Sequence, residues 1–149
     1  MSILQTATTS FKVQLLQAVH NFGPTSPNTF KIALYTANAN INASTTVYTS
    51  SDEVANGNGY TTTGEQLTIS VYPTSGTNQS AVPTAYISFQ NATWTNATFT
   101  ARAALIYNVT QGNKSVAVLD FGSDKTVNND TFTVIFPTPD ANNAIVRIS

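Results

Sequence analysis

At 149 residues the chain has the length of one ordinary domain, and its 41% apolar residues suffice for a core. Only 9% of residues are charged, with a formal net charge of -1, and six Lys and Arg cannot displace the counterions of a nucleic acid. With no cysteine, disulfides, thiolate metal sites and cysteine nucleophiles are excluded.

So little charge leaves little repulsion between copies, which favours a homo-oligomer. The N-terminus lacks a basic region followed by an apolar run, so no signal peptide is expected. No apolar stretch approaches membrane-spanning length, so no membrane partner is expected either.

In chain order, residues 1–9 read as a flexible arm whose sticky positions are Ile3 and Leu4. Thr9 or Ser10 is placed to cap a helix over residues 10–22, with Phe11, Leu15, Ala18, Val19 and Phe22 as its apolar stripe. His20 falls in the last turn, where a positive charge favours a helix C-terminus. Gly23-Pro24 ends that helix. Thr29–Tyr35 alternates as a strand, with Phe30, Ile32 and Leu34 on one face. A long low-charge connection, Thr36–Gly59, closes on the Asn56-Gly57-Asn58-Gly59 turn. Tyr60–Thr63 and Gln66–Tyr72 follow as strands, the second broken by Pro73, and Thr74–Pro83 reads as loop before the strand Thr84–Phe89.

The strongest pattern lies between Trp94 and Phe136 and predicts three strands. In Thr98–Asn108, Phe99, Ala101, Ala103, Leu105 and Tyr107 share one face, opposite Thr100, Arg102, Ala104 and Ile106. Lys114–Phe121 returns after a polar turn, and Thr131–Phe136 follows a break at Gly122–Asp130. Apolar groups on both faces require cover on both: a second sheet on one side, a helix or another subunit on the other. A final strand, Ala144–Ile148, completes a single all-β domain, a sandwich or jelly-roll-like barrel of about eight strands with one N-terminal helix.

Chemical machinery is sparse. One histidine cannot build an imidazole metal site, and no Gly-x-Ser-x-Gly elbow accompanies it. The carboxylates Asp52, Glu53, Glu65, Asp120, Asp124, Asp130 and Asp140 sit at turns and strand ends, without EF-hand spacing. A glycosidase would need two of them facing across a cleft. Arg102 and Arg147 lie in otherwise apolar or neutral strands and need partners; Asp120 is the mate expected for Arg102, and an intersubunit contact is the competing use. Tyr35, Tyr48, Tyr60, Tyr72, Tyr86 and Trp94 are candidates for a sugar-stacking face, or simply core and edge residues. No catalytic residue, cofactor or metal is expected.

Several strings carry a family resemblance: Phe30-Lys31-Ile32-Ala33-Leu34-Tyr35-Thr36, Asp52-Glu53-Val54 through Gly57-Asn58-Gly59-Tyr60-Thr61, Trp94 through Asn108, and Val116-Ala117-Val118-Leu119-Asp120-Phe121-Gly122. Over nearly everything after Ser10 the chain resembles a family of small virion structural proteins of tailed bacteriophages. The resemblance implies a capsid decoration (cement) protein, a dimer or trimer made in the host bacterial cytoplasm and bound to the major capsid protein on the outside of the head. A head-fibre or tail component acting as a receptor- or glycan-binding module is the alternative. Ile3, Leu4, Phe11, Leu15, Val19, Phe22, Arg102 and Arg147 are the interface candidates.

Overall fold

The computed structural model describes residues 2–149. The elements are β1 (Ser2–Ile3), β2 (Thr6–Ala7), α1 (Thr9–Leu16), β3 (Phe30–Tyr35), β4 (Asn40–Ile41), β5 (Glu65–Leu67), β6 (Ile69–Thr77), β7 (Pro83–Phe89), β8 (Ala92–Asn108), β9 (Lys114–Val134) and β10 (Val146–Ile148). They form a five-stranded sheet ordered β2-β9-β8-β3-β5, a three-stranded sheet ordered β10-β7-β6, and the parallel pair β1-β4. All three stay open, so the expected sandwich or jelly-roll-like barrel of about eight strands does not form. The chain is mostly β-strand, but five of its strands are only two or three residues long. Strands that short cannot supply the partners that would close a sheet on itself.

The predicted break at Gly122–Asp130 is not a break. β9 is continuous through it and pairs antiparallel with β8 from Ala92↔Val134 to Asn108↔Lys114. Surplus residues are absorbed as bulges: Arg102 alone stands opposite Phe121–Asp124, and Thr98 opposite Asn128 and Asn129. Gly122 and Asn129 take positive φ there, at 77° and 49°. The ribbon turns a corner at these bulges. Phe121 and Phe132, eleven residues apart on one strand, have ring centroids 6.2 Å apart; a straight strand would separate them by about 36 Å.

The first bulge also breaks the alternation read from the sequence. Ala101 belongs to the same buried cluster as Ala104 and Ile106, whereas Ala103, Leu105 and Tyr107 face the opposite way. Both faces are indeed covered. On one face α1 and the three-stranded sheet bring Phe11, Ile87, Phe89 and Val146 onto Phe30, Ile32 and Leu34. On the other, neither helix nor subunit is needed: the irregular segment after β3, with Ala39, Ile41 and Tyr48, packs over Ala33, Tyr35 and Tyr107.

Three local expectations are corrected. Of the arm, Met1 lies outside the described residues; the rest is not flexible, because β1 pairs with β4 and β2 with β9 at Ala117 and Val118. The helix is capped by buried Thr8, whose hydroxyl accepts from the Phe11 amide, and it ends at Leu16 rather than Phe22. The Ala18 and Val19 amides bond back to the Leu15 and Gln14 carbonyls, with Ala18 at φ 57°, which is a Schellman stop formed without glycine. Finally, β6 runs through Pro73 into the predicted loop; an edge strand with a register shift there tolerates the missing N–H.

Gly64 sets the register of β3 against β5. Its φ is 70°, and a Cβ added there would lie 1.9 Å from the Ile32 carbonyl oxygen. Gly112 has the same φ with nothing within 4 Å. Gly112→Ala should therefore cost about 1 kcal/mol, the left-handed penalty alone. Gly64→Ala should cost at least about 3 kcal/mol because backbone must move. Urea midpoints of the two variants measure the difference; equal shifts would mean that the contact at Gly64 relaxes freely.

Candidate functional site

α1 and the segment after it lie against the three-stranded sheet without closing on it. A cleft of about 400 Å³ opens there, walled mainly by Leu15, Phe22, Tyr86, Ile87, Val146 and Ile148, with His20 at its edge. A second, of about 330 Å³, shares Leu15, Val146 and Ile148 and is flanked by Lys12 and Arg147. Together they make one trough along β10, apolar in the first cleft and mixed in the second, where Lys12, Arg147 and Ser149 join the lining. Outside it, Leu16 is 91% exposed and Val13, one turn earlier on α1, is exposed too. Ile148, 57% exposed, forms the far rim.

The near wall is held by a buried polar chain. His20 lies beyond the helix, not in its last turn, and is buried against Phe11. Its Nε2 is 2.8 Å from Gln14 Oε1, and Asn108 Nδ2 donates to its Nδ1 at 2.9 Å. A neutral imidazole protonated on Nε2 satisfies both contacts. Asn108 also donates to Asn28 Oδ1, which accepts from the Asn21 amide. Burial, helped by the charge of Lys114, depresses the His20 pKa to about 4. The positive form expected from the helix position is therefore disfavoured.

A second polar cluster lies at the edge of the five-stranded sheet beyond the end of β5, drawing on residues of both faces. Where β5 stops, the Leu34 amide on the edge of β3 is taken by the Tyr60 hydroxyl, which donates in turn to Glu53 Oε1 at 2.6 Å. Glu53 also accepts from the Tyr48 hydroxyl and the Thr63 amide. Tyr107 donates to the Thr63 carbonyl and Lys31 to its hydroxyl, holding this β-branched residue at φ 83°. Burial first, and then the Glu53 carboxylate, raise the Tyr35 and Tyr60 hydroxyls far above the ordinary phenol range.

The predicted residues are dispersed by the fold. Leu15 and Phe22 line the trough, Phe11 is buried beneath it, and Val19 is half-buried. Ile3 packs against the cluster on the opposite face, while Leu4 is 56% exposed. Arg102 pairs with Asp120 at 3.1 Å, the expected mate, and exposed Arg147 donates to the Asn142 carbonyl. Asp120 is held below the usual carboxylate range by the Gly122 amide first and Arg102 second. Of the aromatic residues considered for sugar stacking, Tyr35, Tyr60 and Trp94 are buried. Tyr86, one of the sugar-stacking candidates, lines the trough; Val146 and Ile148 are trough residues absent from the predicted set, and their only sequence sign was alternation in a short last strand.

Among the described residues no group of three or more His, Asp and Glu lies close enough to hold a metal ion. No helix among the described residues is long and apolar enough to cross a membrane. No family model matches the chain, and no curated protein or solved structure is significantly similar to it.

The sign of the His20 effect is set by its lowered folded pKa. The unfolded state takes a proton below about 6.5 and the folded state does not until about 4, so stability is complete above 6.5 and falls across that interval. The urea midpoint should drop between pH 6.5 and 5, above most carboxylate titration, and His20→Gln should flatten that segment. An unchanged slope in the variant would mean that another group supplies it. Tyr60→Phe strips the Leu34 amide and Glu53 of one partner each and should cost about 2–3 kcal/mol. A loss under about 0.5 kcal/mol, within ordinary surface variation, would show that solvent replaces the hydroxyl.

Proposed function

We propose that the protein is a non-enzymatic virion structural protein of a tailed bacteriophage, a decoration protein that binds the major capsid protein on the outer surface of the head. The family resemblance of the sequence supplies the class. The observation that carries the mode of attachment is the trough beside β10, walled by Leu15, Phe22, Ile87 and Val146 with exposed Ile148 on its rim, and with Leu16 and Val13 exposed on the helix that supplies Leu15. Covering one such side chain contributes about 2 kcal/mol. That is modest alone, but many copies on a symmetric shell need only modest single sites. The carboxylates best placed for chemistry are engaged within the chain, Glu53 by two tyrosines and the Thr63 amide, Asp120 by Arg102 and the Gly122 amide.

The arm loses its separate role in attachment. Residues 2–7 are woven into two sheets, and deleting them would remove Thr8's neighbours as well as a contact. Leu16→Asp and Ile148→Asp are better probes, since both side chains already face solvent. Purified protein added to undecorated heads should bind and resist moderate salt, because charge contributes little. Each variant should keep its melting temperature and bind at least about tenfold more weakly. Stripping of the wild type by moderate salt, or full binding by both variants, would remove the trough from the account. Binding to tails or host cells in place of heads would move the protein to a fibre.

A further inference from the structure

The free strand edges of this fold are not equivalent. β2, β5 and β10 are two or three residues long, β5 carries Glu65, and a two-fold pairing of β10 would set Arg147 against itself. β6 is interrupted by Pro73 and a register shift. Short length, charge, proline and bulges are the ordinary means of keeping an edge from pairing. The outer edge of β9 differs. β2 covers it only at Ala117 and Val118, and beyond a third irregularity, where Thr131 stands opposite Thr95 and Asn96, Phe132-Thr133-Val134 runs regular and free of charge, followed by Ile135, which is 75% exposed.

The backbone on that edge is turned outward at alternate residues. The Thr131 amide bonds to the neighbouring Asp130 carboxylate, away from β8, whereas the Phe136 amide bonds to Asn91, just before β8. The two-residue period then directs the main-chain groups of Thr131, Thr133 and Ile135 away from β8.

We infer that this edge is a homodimer interface, at which the same strand of a second copy pairs antiparallel about a two-fold axis through Thr133. In that register Thr133 exchanges hydrogen bonds with Thr133 of the second copy, and Thr131 does so with Ile135, its amide passing from the Asp130 carboxylate to the Ile135 carbonyl. Phe132 stands opposite Val134 of the second copy, twice, the aromatic–β-branched match that antiparallel pairs favour. No like charges are directly opposed: Asp130 falls opposite Phe136. A cleft of about 380 Å³ lined by Phe121, Lys125, Phe132 and Ile135 borders the edge and gives the incoming strand's side chains a place to lie.

The inference deepens the self-association part of the reading above and is tested on the free protein. Its failure would leave attachment to heads standing, and the converse. Sedimentation velocity at micromolar concentrations should find a dimer. Thr133 is exposed, so Thr133→Lys and Thr133→Glu leave the monomer intact while placing like charges across the axis. Each alone should dimerise at least about tenfold more weakly, and an equimolar mixture should regain the dimer. Because the chain has no cysteine, Thr133→Cys adds a second readout. A hydrogen-bonded pair has Cα atoms about 5.5 Å apart, within disulfide range, so mild oxidation should cross-link it and not Thr126→Cys. A monomeric wild type, undiminished association of the lysine variant, a mixture no stronger than its parts, or equal cross-linking of the two cysteine variants would each overturn the interface.

Discussion

The corner in the β8–β9 ribbon governs what the rest of the chain can do. Four residues of β9 face the single residue Arg102 of β8, and such an insertion must either dissolve the pairing or be clamped. Asp120 clamps it. One carboxylate oxygen accepts both from the Gly122 amide inside the bulge and from the Arg102 guanidinium across the strand. With the corner held, the far half of the ribbon brings Trp94, Phe99, Val127 and Phe132 to the core instead of projecting into solvent. The Trp94 ring meets Phe132 edge-on at 5.9 Å and lies 6.3 Å from Tyr60, tying the far half to the segment that precedes β5. A side-chain ion pair about one-quarter to one-third exposed contributes little energy by itself. Its weight here is geometric, because it selects one bend among several that the backbone permits.

A chain this poor in charge satisfies its interior with neutral groups. The buried hydrogen bonds run through Thr8 and Ser115, through His20, Asn108 and Asn28, and through tyrosine hydroxyls that converge on the partly buried carboxylate of Glu53. These links do the work that regular pairing does elsewhere. They fasten the connection after α1, which has no strand, and the segment between β3 and β5, whose one named strand is the two-residue β4 beside β1. The same economy shapes the outer surface. With few ions to present, the protein meets its surroundings through threonine, asparagine and scattered exposed apolar side chains, and specificity must come from shape and from backbone edges.

Much of this was legible along the chain. Strict alternation identified β3 and its two faces, the polar turn at Val109–Asn113 identified the hairpin joining β8 to β9, and the doubly apolar strands announced a sheet covered on both sides. Arg102 and Asp120 were recognisable as mates because a guanidinium in an apolar strand must find one. The absence of cysteine and the low charge are facts of composition that no folding could alter.

Other features depended on contacts distant in sequence. Gly122–Asp130 has the residues of a loop, and only pairing with β8 makes it strand. The apolar spacing from Phe11 to Phe22 satisfied a helix, yet the helix stops at Leu16 and Phe22 stacks on Phe30 with ring centroids 4.5 Å apart. The trough beside β10 draws its walls from residues 15 to 148, and local periodicity carries no information about such a meeting. Alternation, turn chemistry and composition are local properties and were written in the chain itself. The bend, the helix stop, the covered face and the free edge were decided by which distant segments touch.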